Sequence, residues 1–152
     1  MTTATTTWAI HGLDATDAER LRAAGGERHV AASSPGYPCR VCLRDAEVGD
    51  ELLLVSHDPF TVDSPYRSAS PVFVHARPCP PHEPSYEIPE QLARRQLSVR
   101  AFDAAAAMTA AAVVDGRDLA ATLQRFFLDP STDRVHVHNA SRGCWAATAR
   151  RS

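Results

Sequence analysis

The chain has no long hydrophobic run. None of its 152 residues falls in a window approaching the roughly 18 uninterrupted apolar residues a membrane span requires, so no membrane partner is expected. Met1 to Thr7 lacks both a basic segment and an apolar core. No export leader is therefore expected, and the chain reads as cytoplasmic, where thiols stay reduced. An excess of one charge is also missing: 16 Lys and Arg against 18 Asp and Glu leave a net charge of -2. So weak a field does not gather nucleic acid or anionic lipid, and a nucleic-acid partner is not expected. Gly-rich phosphate loops, H-E-x-x-H and G-x-S-x-G are absent. Ser56-His57-Asp58 has the letters of a catalytic triad, but neighbours on a strand point to opposite faces and cannot form one.

What the chain does have is enough length for one core. At 152 residues it is read as a single domain, 1–152, with 1–6 expected to be flexible, and it needs no disulfide for support. Asp14 is an N-cap for a helix that Gly25-Gly26 stops. Leu119, Leu123, Phe126 and Phe127 mark a second, amphipathic helix ended by Asp129-Pro130. Strands are expected at Thr6–Ile10, His29–Ala32, Glu51–His57, Pro71–Arg77, Leu97–Phe102, a stretch ending at Val114, Arg134–Asn139 and Gly143–Arg150. The alanines of Asp103–Val114 favour helix and its end favours strand; a turn followed by a strand is the reading adopted. Five prolines between Pro78 and Pro89 forbid regular structure. Without βαβ alternation, the class is α+β: a mainly antiparallel sheet of six to eight strands with two main helices.

The chemistry gathers around four cysteines. Cys39-Arg40-Val41-Cys42 is a C-x-x-C, echoed by Cys79-Pro80-Pro81-His82, a C-x-x-H. Two close pairs of soft donors on Pro-rich loops make the count a tetrahedral zinc site requires, so Cys39, Cys42, Cys79 and His82 are the candidate metal ligands and zinc the candidate cofactor. Two features oppose this. Pro80-Pro81 removes amide donors that steady thiolates, and Leu43 stands where zinc ribbons tend to carry glycine. A second grouping cuts across the first. His136 and His138 alternate on one strand and share a face, with Asn139 and Cys144 at the following turn. If that strand neighbours Pro71–Arg77, then His75, Cys79, the histidines and Cys144 meet at one end of the sheet. For thiol chemistry Cys39 beside Arg40, or Cys144 near His138, are the catalytic candidates. A thioredoxin-like redox role for Cys39 and Cys42 lacks the long apolar helix that should follow. The plainest alternative is that these residues are packing and hydrogen-bonding parts.

Four ordered blocks carry a resemblance: P-C-R-x-C-L at Pro38–Leu43, D-P-F with S-P-Y at Asp58–Tyr66, P-V-F-V-H-A at Pro71–Ala76, and V-H-V-H-N-A followed by G-C-W-A-A at Val135–Ala147. In these the chain, from about Tyr37 to Arg150, resembles a small bacterial family known as domain of unknown function 1203. The resemblance implies that the blocks form one domain, and it implies no activity. The reading adopted is a ligand- or partner-binding domain, for a small molecule or a protein. Its polar pocket is expected to hold Arg40, His75, Arg100, His136, His138 and Asn139. A zinc- or thiol-dependent enzyme using the same cluster is the alternative.

Overall fold

The computed structural model describes residues 8–152. The elements in chain order are β1 (Trp8–His11), α1 (Ala15–Ala24), β2 (Glu27–Val30), β3 (Glu51–His57), β4 (Ser70–His75), α2 (Glu90–Ala93), β5 (Gln96–Asp103), β6 (Met108–Asp115), α3 (Leu119–Phe127), β7 (Thr132–Asn139) and β8 (Trp145–Arg151), with a 3-10 turn at Gly116–Asp118. Residues 1–6, and the start of the strand expected from Thr6, lie outside the described residues. The strands form two antiparallel sheets, one of five in the order β1-β8-β7-β5-β6 and one of three in the order β2-β3-β4. The protein is α+β and mostly sheet.

Strand alternation divides the larger sheet into two unlike faces. Leu97, Val99, Ala101, Val135, Val137, Ala147 and Ala149 are fully buried and pack with Leu119, Leu123, Phe126 and Phe127 of α3. This is the main core, and the spacing of the α3 residues is why that helix lies on the sheet. The opposite face carries Ser98, Arg100, His136, His138 and Thr148, because Ser98 pairs with His138, Arg100 with His136, and His136 with Thr148.

The smaller sheet builds a second core from Leu53, Val55, Val72 and Val74 against Ala18 and Leu21 of α1. Asp14 caps that helix, its Oδ1 accepting from the Asp17 amide at 2.7 Å. Trp145, the first residue of β8, reaches into this second core and joins the two sheets. Met108–Asp115 is an edge strand whose alternate residues Met108, Ala110, Ala112 and Val114 are half-buried. Its alanines pair along β5, and tertiary pairing overrides their helical preference. Gly116 sits where no side chain fits, since a Cβ there would collide with the carbonyls of Leu92 and Arg95. That close approach docks α2 beneath the end of β6.

Candidate metal centre

The outer edge of the small sheet positions the first pair of cysteines. β4 bonds to β3 on one side; on the other, Cys39 pairs in parallel with Phe73, and the Arg40 amide donates to the Phe73 carbonyl at 2.9 Å. The chain turns over at Arg40–Leu43 and returns, with Pro38 bridged to Asp45 and the Cys39 amide bonded to the Arg44 carbonyl. Leu43 closes this knuckle at φ +56°, the left-handed region that favours glycine. Beyond β4 the Pro-rich strap crosses the knuckle, the His82 amide donating to the Val41 carbonyl at 2.8 Å, and then pairs with β1 through Ser85 and Ile10.

Three segments thereby converge. Sγ of Cys39, Cys42 and Cys79 and a ring nitrogen of His75 all lie within 4.8 Å of one another. Cys39 Sγ is 3.8 Å from Cys79 Sγ, and Cys42 Sγ is 3.7 Å from His75 Nδ1. Tetrahedral zinc with Zn–S bonds of about 2.3 Å sets its sulfurs roughly 3.8 Å apart, so the spacing fits one ion. The other ring nitrogen of His75, Nε2, lies 3.2 Å from Asp50 Oδ2. A carboxylate on the far side of a ligating imidazole fixes its orientation and strengthens it as a donor. The amides of Val41 and His75 each point at Cys39 Sγ at 3.4 Å, and Arg22 Nη2 lies 3.5 Å from Cys79 Sγ. Arg22 also donates from Nε to the His75 carbonyl at 2.8 Å.

The four groups share protons unevenly. Hydrogen bonds with Cys42 and then Cys79 hold the Cys39 thiol well below its ordinary range against the opposing effect of burial. Its hydrogen bond to the charged Cys39 pushes Cys42 far above that range. Hydrogen bonds to Cys39 and Cys79 raise His75 to about 10. Such crowding of thiol, thiolate and imidazolium is what a cation relieves by displacing the protons.

His82 stands outside the group, and His75 makes the fourth donor. Two prolines in a row hold Cys79-Pro80-Pro81-His82 extended at about 3.1 Å per residue, so the pair does not curl around one point. The condition that would have joined the second grouping is not met. β7 lies between β5 and β8, whereas β4 belongs to the other sheet. His75 and Cys79 therefore meet Cys39 and Cys42, not His136, His138 and Cys144. The chain directly after Cys42 turns and runs into β3 rather than a helix, and all four cysteines are free.

The other expected pocket residues lie on and around the polar sheet face. The Arg40 side chain runs away from the knuckle and is 1 % exposed. It donates to the Trp145 carbonyl (2.9 Å), the Pro38 carbonyl (2.6 Å) and Cys144 Sγ (3.3 Å), tying the knuckle to β8. Asn139 Nδ2 is 4.0 Å from the same sulfur. His138 Nδ1 bonds the Gly143 carbonyl at 2.9 Å, and burial lowers the ring's pKa to about 4. His136 is fully buried between the rings of Phe60 and Phe102, and neither ring nitrogen has a partner among the described residues. Burial, with cationic neighbours, lowers it to about 3. Arg100 folds back, its Nε 3.1 Å from Ser98 Oγ.

Sequence reasoning missed Asp50 and Arg22. Asp50 registered only as the Gly49-Asp50 boundary of a strand; its signal is that it directly precedes β3, whose Leu52 pairs with His75. Arg22 lies one helical turn beyond the buried Ala18, and that spacing turns it towards the sheet. Two cavities flank the cluster, of about 570 and 310 Å³, and Cys79 and Pro78 line both. No helix is long and apolar enough to cross a membrane among the described residues.

Comparison with known proteins adds the family and nothing finer. No curated protein and no solved structure matches the chain. The family described as Protein of unknown function (DUF1203) matches residues 36–151, which is well over half of the 152 residues, and the chain belongs to that family.

Proposed function

We propose that this protein binds one zinc ion through Cys39, Cys42, His75 and Cys79, and that the ion serves the fold. The observation that carries the reading is the convergence of four donors, from three separate segments, within 4.8 Å of one another. Four protein donors close a tetrahedral sphere and leave no open position for water or substrate, which marks a structural ion rather than one that activates water. A single point of convergence suits one ion, and three thiolates with an imidazole suit zinc. Asp50 behind His75 and the amides at Cys39 supply the outer hydrogen bonds that such a site uses. The ion would pin the knuckle, the end of β4 and the Pro-rich strap to one another.

Metal analysis of protein purified without chelator or affinity tag tests this. One zinc per chain is expected, with loss of the metal in Cys39→Ser and a lower Tm after treatment with a strong chelator. Zinc far below one per chain, or a Tm indifferent to the chelator, overturns the reading.

A further inference from the structure

We infer that Cys79 is the reactive thiolate of this centre, a modification site at which a small, soft alkyl electrophile is captured as a thioether. The inference rests on the zinc reading above and adds to it an unequal division of labour among the three sulfurs.

Hydrogen bonding separates the sulfurs first. Cys39 is fully buried and receives the amides of Val41 and His75. Cys42 receives the amide of Arg44. Cys79 receives no backbone amide among the described residues; the Arg22 guanidinium lies 3.5 Å from it, and the His75 ring, its other hydrogen-bonding neighbour, would turn from donor to fellow ligand once zinc is bound. The residues that would supply amides in a knuckle are Pro80 and Pro81, which have none. Every N–H aimed at a thiolate stabilises its charge and leaves less of it for attack. Cys39, fully buried with two amide donors, is therefore the least free of the three, and between Cys42 and Cys79, each with one such donor, access decides.

Access separates them again. Cys79 lines both cavities beside the cluster, whereas Cys39 and Cys42 line neither. The larger, of about 570 Å³, is walled mainly by Ala15, Ala18, Ala76, Pro78 and Pro81, with Arg22 at the sulfur and Glu19 also on the lining. That volume falls in the range of small-molecule sites, and a mostly apolar wall whose one acid and one base offset each other suits a small uncharged body.

The step is a displacement. Cys79 Sγ attacks a saturated carbon carrying a leaving group; the S–C bond forms as the carbon–leaving-group bond breaks, and the leaving group departs as an anion with the bonding pair. The sulfur becomes a neutral thioether, so the donor set loses one negative charge and its hold on zinc weakens. No oxidant or reductant enters.

The test uses the zinc-loaded full chain, limiting iodoacetamide, peptide mapping by mass spectrometry, and a chromogenic chelator for released zinc. Cys79 is expected to carry about tenfold or more label than Cys39 or Cys42, with zinc released in step. Arg22→Met, which removes the guanidinium beside the sulfur, should label Cys79 faster still, an effect that mere loosening of all three sulfurs would not confine to Cys79. A chain with one zinc in which Cys39 or Cys42 reacts as fast as Cys79, or in which Cys79 does not react, overturns this inference alone. A chain purified without zinc overturns the zinc reading and this inference with it.

Discussion

Replacing Asp50 tests the proposed metal centre without touching any of its four candidate donors. Asp50 Oδ2 lies 3.2 Å from His75 Nε2 and accepts the Glu47 amide at 3.0 Å. One oxygen thus holds the His75 ring and closes the turn that leads into β3. Loss of such an outer partner costs about 10–100-fold in metal affinity. Asp50→Asn keeps an acceptor oxygen and loses only the charge, and the side chain is 41 % exposed, so water screens much of that charge. About tenfold weaker zinc binding is expected for Asn. Asp50→Ala removes the acceptor as well and should approach the upper end, about 100-fold. Competition against a chromophoric chelator at fixed pH measures both. The metal-free proteins, compared by thermal unfolding, report how much of the alanine effect is the lost Glu47 turn. Equal zinc affinity in wild type and Asp50→Ala refutes the argument that Asp50 orients His75. A large fall for Asn with none further for Ala shows that charge, not orientation, is what matters.

Three other outcomes follow from the packing. His136 and His138 are held neutral, with native pKa values of about 3 and 4 against an ordinary 6.5. Above pH 6.5 they are neutral both folded and unfolded; below it the unfolded chain takes up protons that the folded one refuses. Stability therefore falls with pH between about 6.5 and 4, each ring contributing up to about 1.4 kcal/mol per pH unit. Arg100 on β5, Arg134 on β7 and Arg150 on β8 face His136 with positive charge, and the neighbouring His138 adds to it only once protonated; all work in the same direction. His136→Phe, which adds no unpartnered nitrogen beside Phe60 and Phe102, should flatten the urea-midpoint profile over that window; an unchanged slope refutes the assignment. Gly116→Ala should cost about 3 kcal/mol, the upper end for overpacking, because the colliding atoms are the backbone of Leu92 to Arg95 rather than a side chain that can turn aside. Calorimetry showing no fall in Tm would mean that α2 is free to move away. Leu43→Gly sets two effects against each other: relief of the left-handed backbone returns about 1–2 kcal/mol, and loss of a leucine 1 % exposed costs about 2–5 kcal/mol. A net loss of stability is expected in chemical denaturation, and a gain would show that strain outweighs burial there.

Much of the fold was legible because local signals agreed with one another. Glu51–His57 and Leu119–Phe127 run between the boundaries their flanking Gly-Asp and Asp-Pro pairs define. Asp14 caps its helix as read, and Gly25 ends it at φ +80°. Propensity and alternation point different ways in the alanines before Val114; the turn-then-strand reading holds, and pairing with β5 is what decides it. The division into two sheets was not legible at all. Nothing in a strand's pattern states which partner it takes, and Trp145 joins the layers across 75 residues of chain from its partner Ser70, whose hydroxyl accepts the Trp145 amide.

The candidate centre was half legible for a related reason. Cys39, Cys42 and Cys79 stand out by spacing, and His82 was chosen with them because it is near Cys79 in sequence. Nearness in sequence helps a metal site only when the intervening backbone can bend, and Pro80-Pro81 keeps it straight. Nearness in space is set instead by the parallel pairing of Cys39 with Phe73, which brings the end of β4, and hence His75, to the knuckle. Leu43 argued against a knuckle because glycine is the residue that turn prefers. Yet Leu43 adopts the left-handed conformation all the same, and its side chain enters the main core beside Ile10 and Leu92. A residue that is wrong for the turn is right for the packing behind it. The prolines that keep His82 out of the cluster also leave Cys79 without amide donors from the residues after it, so the feature that hid the fourth candidate donor also bears on the reactivity proposed for the third sulfur.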